Sequence, residues 1–131
     1  MIRVVVDANV LISALLNGSA KFVLFDSKFE FVTTEFTLRE VYHFLPFISA
    51  RSSVPLNELE AAIRLFPLVV YPRQHYRHML SRARKVLRNI DLNDVDLLAL
   101  YFTESTYLWS EDKDFEEIRP PIRLLKTKDF F

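Results

Sequence analysis

The sequence predicts an α/β protein with a central, mostly parallel sheet of about five strands that is covered by helices on both faces. Short β-branched or aromatic runs alternate along the chain with longer stretches of helical character. The first run, residues 2–6, is apolar without alternation, which is typical of a parallel strand buried on both sides. With 131 residues and 50% hydrophobic content, we expect residues 1–131 to form one domain with a single core.

Five short runs rich in β-branched and aromatic residues predict the strands. They lie at residues 2–6, 29–32, 68–71, 107–109 and 122–125. The first run ends at an acid, Asp7, and the third is bounded by Pro67 and Pro72. Because proline cannot donate to a strand ladder, these prolines set the limits of the third strand.

Helical composition or spacing predicts the segments between the strands. These helices lie at residues 8–16, 20–26, 56–66, 74–87 and about 94–104, and a further one, third in chain order, follows Thr33-Thr34 and carries the apolar stripe Leu38, Val41, Leu45 and Ile48. We expect the only glycine, Gly18, to end the first helix, Thr33 or Thr34 to cap the third, and Pro55 to begin the fourth. Residues 89–93 form a polar connector, and the helix after it is apolar nearly all round, so it should be largely buried.

Composition limits the class of protein. No apolar run approaches the roughly 20 residues of a membrane span, and the first strand meets Asp7 before a signal-peptide core could form. We therefore expect a soluble, cytoplasmic protein without a membrane partner. There is no cysteine, so any metal must be held by oxygen or imidazole.

The charges are unevenly distributed, although 17 basic and 17 acidic residues cancel overall. Residues 73–88 contain six basic and no acidic residues, whereas residues 91–117 contain nine acidic residues and one basic residue. This arrangement would suit a cation site beside a surface that attracts phosphate, but two solvated helix faces would look the same. Candidate RNA contacts, by phosphate binding or stacking, are Tyr71, Tyr76, Arg77, Arg84 and Lys85.

Three acids occupy notable places in the predicted fold. Asp7 follows the first strand, Asp112 lies just beyond the fourth, and Asp94 begins the apolar helix. Ligands of open parallel sheets gather at the carboxyl ends of the strands, where Asp7 and Asp112 are expected. Asp94 taken alone could be only a helix N-cap.

Three motifs resemble those of PIN domains, and of VapC-like toxin ribonucleases in particular. VDANVLISALL at 6–16 resembles the family's Asp-x-Asn opening, which leads into a helix of aliphatic and small residues. DLNDVDLLAL at 91–100 is similar to its Asp-Pro-x-Asp segment and the Leu-Ala-rich helix that follows, with leucine in place of proline. LWSEDKDF at 108–115 is similar to its Leu-Val-Thr-x-Asp-x-Asp-Phe strand end, and Glu40 lies where the family has a helical glutamate.

The resemblance implies a PIN-like three-layer sandwich and a metal-dependent ribonuclease that hydrolyses phosphodiester bonds of RNA. Such a protein is most often the toxin component of a type II toxin–antitoxin pair, so an antitoxin is the implied partner. The implied catalytic and metal-binding residues are Asp7, Glu40, Asp94 and Asp112. Carboxylates are hard oxygen ligands that suit Mg²⁺ or Mn²⁺, and Glu40 could either bind the metal or orient the attacking water.

Four further polar residues are candidates for supporting roles. Asn9 and Ser110 match polar positions beside the acids and would hydrogen-bond them, although ordinary helix-start and strand-end residues would look the same. Asp91 lies one helical turn before Asp94 and could reach the site. Asp114 could anchor the loop of Asp112 or touch the metal.

Two more expectations concern residues outside the motifs. Asp96 is two residues beyond Asp94, so on a helix it should point about 200° away from the site. Twelve phenylalanines exceed what a small core comfortably hides, so one interpretation is an exposed apolar patch that serves a homodimer or an antitoxin helix, and extra core packing is the default one.

Other classes of protein fit the sequence less well. A haloacid dehalogenase-like phosphatase needs a second aspartate at the position of Asn9, and a receiver domain needs a phosphoacceptor after the third strand, where Tyr71-Pro72 stands. Lys126 could pass for the receiver lysine. The main alternative is a catalytically silent PIN-like module that binds RNA or a partner without cutting.

Overall fold

The computed structural model describes residues 1–87 and 92–131, which form a five-stranded sheet in the order β3-β2-β1-β4-β5. The strands are β1 Ile2–Val6, β2 Phe29–Thr34, β3 Leu68–Tyr71, β4 Tyr107–Trp109 and β5 Leu124–Leu125. Every neighbouring pair is parallel. Because the strand order reverses beside β1, the ends of β1 and β4 lie at the place where parallel α/β sheets bind ligands.

Seven α-helices connect and cover the strands of the described chain. They are α1 Ala8–Leu15, α2 Ala20–Leu24, α3 Glu35–Ser52, α4 Leu56–Leu65, α5 Arg73–Tyr76, α6 Leu80–Val86 and α7 Leu92–Glu104. Helices α1 to α4 pack on one face of the sheet, and α5 to α7 pack on the other. The predicted three-layer α/β architecture is therefore confirmed.

The central strand explains why the first apolar run shows no alternation. Val4 and Val6 face the layer of α1 to α4, whereas Val5 faces the layer of α5 to α7, and all three are fully buried. Successive side chains of a strand point to opposite faces, so a strand covered on both faces needs apolar residues at every position. In β4, Leu108 and Trp109 divide between the two layers in the same way.

The end of α1 differs in detail from the prediction. Asn17, and not Gly18, adopts the left-handed conformation, with φ of 63°. Gly18 is required for a different reason, because a Cβ there would lie 2.3 Å from Ser13 Oγ and 2.7 Å from the Ser13 carbonyl oxygen. The backbone of Gly18 donates a 2.8 Å hydrogen bond to that same carbonyl, so the close approach closes the helix.

The single basic helix predicted over residues 74–87 is wrong. The chain instead forms α5, a 3₁₀ turn at Arg77–Met79 and α6. Four buried residues keep helical spacing through the break, and no proline or glycine marks it, so the sequence pattern does not reveal it. These residues are Tyr76, Leu80, Ala83 and Leu87.

Two other boundaries differ. Strand β5 is shorter than predicted because the Leu124 amide donates to the Ile122 carbonyl, which forms a tight turn in place of extended backbone. Helix α7 begins at Leu92, so Asp94 lies in its first turn and is not its N-cap. The predicted connector at 89–93 falls mostly outside the described residues.

Five of the twelve phenylalanines are exposed, so core packing does not absorb them all. The exposed phenylalanines are Phe22, Phe25, Phe44, Phe47 and Phe131. Within the described part of the chain, no helix combines the length and the apolar character that a membrane crossing requires.

Candidate metal centre

Asp7 is fixed at the junction between β1 and α1. It is the N-cap of α1, and its Oδ1 accepts a 2.7 Å hydrogen bond from the amide of Ala8. Its Oδ2 accepts a 2.6 Å hydrogen bond from the Ser110 hydroxyl, which follows the neighbouring strand β4. Only 7% of Asp7 is exposed. The carboxylate is thus held at the carboxyl edge of the sheet, as the strand pattern predicts.

Asp94 and Asp112 meet Asp7 at this edge. One carboxylate oxygen from each of the three residues lies within 4.8 Å of the other two. Asp94 comes from the first turn of α7 and is buried, whereas Asp112 comes from the loop after β4 and is half-buried. Three elements that are distant in sequence therefore bring three carboxylates together.

Glu40 lies on α3 and lines the same cavity, which has a volume of about 200 Å³. We call this cavity the acidic pocket. Its other lining residues are Asp7, Ala8, Asn9, Ile12, Phe44, Asp94 and Asp112. No sequence pattern predicts Ile12 and Phe44 as site residues, although Phe44 is one helical turn beyond Glu40 and that spacing would place it near the pocket.

Ser110 and Asn9 form a hydrogen-bond network beneath the acids. Besides donating to Asp7, Ser110 Oγ accepts a 3.0 Å hydrogen bond from the amide of Asp112. The Asn9 side-chain amide lies 3.3 Å from both Asp7 Oδ2 and Ser110 Oγ, and its carbonyl oxygen accepts from the Glu111 amide. The network joins the end of β4 to the start of α1, so it fixes Asp7 relative to Asp112.

The remaining acidic candidates have different places. The backbone amide of Asp114 donates to Asp112 Oδ1 at 2.9 Å, and its own side chain is exposed, so Asp114 supports the turn that carries Asp112. Asp91 lies outside the described residues. Asp96 does not line the acidic pocket and pairs with Arg73 and Tyr76 instead, as expected from its angle on the helix.

One predicted RNA contact is wrong. Tyr76 is fully buried, and its hydroxyl donates to Asp96, so its ring cannot stack on a base. Tyr71 is half-buried and stacks on His75, with ring centres 3.8 Å apart. Arg77, Arg84 and Lys85 are exposed and remain candidates for phosphate contacts.

The chemistry of the acidic pocket fits a divalent cation. Two unit charges 4.8 Å apart repel by about 3 kcal/mol at an effective dielectric constant of about 20, so three ionised carboxylates need a counter-charge. The three oxygens are close enough together that some could contact a cation directly and others through water, which is how proteins commonly hold Mg²⁺. A set of oxygen donors without thiolate suits Mg²⁺ or Mn²⁺.

The fold and the site together define a class: a three-layer α/β protein with a cation-suited acidic pocket at the carboxyl edge of a parallel sheet. The model of the PIN domain family matches residues 5–121, and the chain therefore belongs to the PIN domain family. No protein of curated function matches the sequence.

A solved structure supports the fold. The chain is similar to one from the crystal structure of VapBC2 from Rickettsia felis bound to a DNA fragment from their promoter. The TM-score is 0.67 at 16% identity, and the match covers 95% of this chain and 98% of that one. At this identity the likeness establishes the shared fold alone.

Proposed function

We propose that this chain is a Mg²⁺- or Mn²⁺-dependent endoribonuclease that hydrolyses phosphodiester bonds of RNA. The observation that carries the proposal is the convergence of Asp7, Asp94 and Asp112 within 4.8 Å, with Glu40 lining the same pocket. RNA as the substrate is what the resemblance to PIN domain ribonucleases implies. We also propose that residues 1–131 act as one domain.

In the proposed mechanism, Asp7, Asp94 and Asp112 would hold the cation. When bound there, a divalent ion lowers the pKa of a coordinated water and stabilises charge that develops on the scissile phosphate. Ser110 and Asn9 hold the Asp7 carboxylate in place, as expected of residues that orient metal ligands. The amides of Ala8 and Asp114 direct the carboxylates of Asp7 and Asp112 in the same way.

Glu40 has a different proposed role. It lines the acidic pocket but does not belong to the cluster of three carboxylates within 4.8 Å. A carboxylate beside the metal ligands can orient the attacking water and accept its proton. The water oxygen then bonds to phosphorus as the bond between phosphorus and the leaving oxygen breaks, and the leaving oxygen takes a proton from solvent water to become a hydroxyl.

We further propose that the chain is the toxin component of a type II toxin–antitoxin pair, acts in the cytoplasm and forms a homodimer. An apolar groove of about 470 Å³ supports a protein partner, and its lining residues are Ile12, Leu16, Phe44, Phe47, Ile48 and Arg51. Ile12 and Phe44 also line the acidic pocket. An amphipathic antitoxin helix in the groove would therefore also cover the acids.

RNA cleavage tests the enzymatic proposal. Purified protein is incubated with structured and single-stranded RNAs in Mg²⁺, in Mn²⁺ and in EDTA, beside the variant Asp7→Asn. We expect cleavage that requires metal and falls by at least about 100-fold in the variant, because a ligand charge is lost while the shape is kept. The matched control is Asp26→Asn. Asp26 precedes the amino end of β2, whereas the acidic pocket lies at the carboxyl edge of the sheet.

Two outcomes decide between the candidate functions. Loss of activity in Asp7→Asn but not in Asp26→Asn supports the nuclease. If the wild type and Asp7→Asn are equally inert while both bind RNA, the catalytically silent binding module replaces it.

The proposed partner is tested by co-purification with the product of the adjacent gene. Phe47→Ala should weaken the complex, because Phe47 is 59% exposed and lines the groove. Phe22→Ala is the matched control, since Phe22 is 67% exposed and does not line the groove. Equal retention of the partner by both variants would contradict this docking surface.

A further inference from the structure

Asp96 is a buried carboxylate that is close to Asp94 in sequence but does not line the acidic pocket. It is only 2% exposed, and it stands two residues beyond Asp94 on α7. Arg73 Nε and Nη2 donate to its two oxygens at 3.2 and 3.0 Å, and the Tyr76 hydroxyl donates to Oδ2. A buried charge is costly unless it is paired, so these bonds hold the start of α7 against α5.

Tyr76 is suited to remain a donor in this arrangement. Burial, together with its hydrogen bond to Asp96, raises the pKa of Tyr76 well above its ordinary value. The hydroxyl therefore stays protonated at neutral pH and continues to donate to Asp96.

Arg73 also contacts the helix that carries Glu40. Its guanidinium carbon lies 4.4 Å from the ring centre of Phe36, which is within cation–π range. Phe36 is in the first turn of α3, and Glu40 is four residues further on, so both side chains leave the same side of the helix. One guanidinium thus bridges α3, which carries Glu40, and α7, which carries Asp94.

The four acids of the pocket are supported in two different ways. Asp7 and Asp112 follow neighbouring strands and are joined through Ser110. Asp94 and Glu40 come from helices on opposite faces of the sheet, so their separation depends on contacts between helices. The described contacts of Arg73 provide a direct tie between these two helices at the pocket end.

We infer that Arg73, supported by Tyr76, is a positioning residue that sets the spacing of Asp94 and Glu40 in the metal centre. This inference rests on the proposed metal-dependent function. A displacement of about 1 Å at a catalytic group can reduce activity by about 100-fold, so a residue that touches neither metal nor RNA can control both binding and rate. Lysine cannot replace arginine here, because its single ammonium cannot donate in a planar fork and also stack on a ring.

The test measures the Mn²⁺ dissociation constant of the full chain by calorimetry and the Mn²⁺ dependence of RNA cleavage. The variants are Arg73→Lys, which keeps the charge, and Tyr76→Phe, which removes one hydroxyl and keeps the buried ring. We expect the Mn²⁺ dissociation constant to rise about 10-fold in Arg73→Lys and about threefold in Tyr76→Phe. Raising Mn²⁺ should restore part of kcat in variants that thermal unfolding in EDTA shows to be folded at the assay temperature, so that stabilisation of the fold by Mn²⁺ does not account for the rescue.

Arg39→Lys is the matched control. The Arg39 guanidinium also lies over Phe36, at 5.2 Å, but it pairs with Glu35 on the surface of the same helix. The Mn²⁺ affinity and kcat of the Arg39→Lys variant should equal those of the wild type.

The outcomes separate the two proposals. If wild type binds Mn²⁺, Asp94→Asn does not, and folded Arg73→Lys and Tyr76→Phe bind with wild-type affinity, the positioning role is overturned and the metal centre stands. If wild type and Asp94→Asn bind Mn²⁺ alike, the metal centre itself is wrong, and the positioning role is overturned with it.

Discussion

The Ser110 hydroxyl donates a 2.6 Å hydrogen bond to Asp7 Oδ2 across the ends of two neighbouring parallel strands. Ser110 Oγ in turn accepts a hydrogen bond from the backbone amide of Asp112. A single hydroxyl thus fixes two acids of the pocket relative to each other. The bond also fills one lone pair of the Asp7 carboxylate, which leaves fewer directions in which that group can bind a cation.

Ser110→Ala should weaken metal binding without unfolding the protein. The variant removes the donor to Asp7 and the acceptor for the Asp112 amide, so Mn²⁺ affinity should fall about 10-fold. The free energy of unfolding should fall by about 1–3 kcal/mol. Calorimetry and urea unfolding measure both quantities, with Ser81→Ala, an exposed serine of α6, as the control. Unchanged Mn²⁺ affinity in Ser110→Ala would remove Ser110 from the site.

Glu40 and Asp94 should respond differently to loss of charge. Asp94→Asn removes a member of the carboxylate cluster, so both Mn²⁺ affinity and kcat should fall by at least about 10-fold. Glu40→Gln should reduce kcat by about 100-fold or more with a smaller effect on Mn²⁺ affinity, because Glu40 lies outside that cluster. Parallel calorimetry and single-turnover cleavage separate these effects. An equal loss of Mn²⁺ affinity in the two variants would make Glu40 a metal ligand.

A bound divalent metal ion should stabilise the folded chain as well as support catalysis. Repulsion among the three carboxylates is relieved by a cation that binds only the folded chain. At a Mn²⁺ concentration of about 100 times the dissociation constant, stabilisation is about 2.7 kcal/mol, which raises Tm by roughly 10 °C. Thermal unfolding in EDTA and in Mn²⁺ measures this shift. Asp94→Asn should lose most of it, and a full shift in that variant would place the ion elsewhere.

Alkaline pH should reveal the burial of Tyr76. Its pKa is raised in the folded chain, whereas in the unfolded chain it ionises near the ordinary value of about 10. The contribution of Tyr76 to stability is therefore fully present below about pH 10 and is lost as the pH rises from there toward the folded pKa. The difference in unfolding free energy between wild type and Tyr76→Phe should shrink by up to about 1.4 kcal/mol per pH unit above pH 10. A constant difference between pH 9 and 11 would contradict this account.

Much of the fold and part of the pocket follow from local sequence patterns. Asp7 and Asp112 were predictable because parallel strands place their carboxyl ends at one edge, and both residues follow short apolar strands. Asp94 and Glu40 carry no such signal, since an acid in the first turns of a helix is common. Glu40 is marked only by the resemblance to PIN domain motifs, whereas Asp94 also stands at the start of an apolar helix, where a simple N-cap is an equal interpretation.

The errors share a physical cause. Tyr76 was expected at the surface because it stands in a basic segment, but it pairs with Asp96, 20 residues away on another helix. The same pairing engages Arg73, one of the six basic residues at 73–88, for which both a phosphate-attracting surface and a solvated helix face were open interpretations. Contacts between separate elements leave no periodic trace, so neither the broken helix at Arg77–Met79 nor the link between α3 and α7 could be predicted.

The most direct test of the metal centre is an anomalous difference map from crystals of the protein grown or soaked in Mn²⁺. We predict a peak in direct contact with carboxylate oxygens of at least two of Asp7, Asp94 and Asp112, and its absence in crystals of Asp94→Asn. A well-ordered acidic pocket without a peak at saturating Mn²⁺, or an equal peak in the variant, would contradict the assignment.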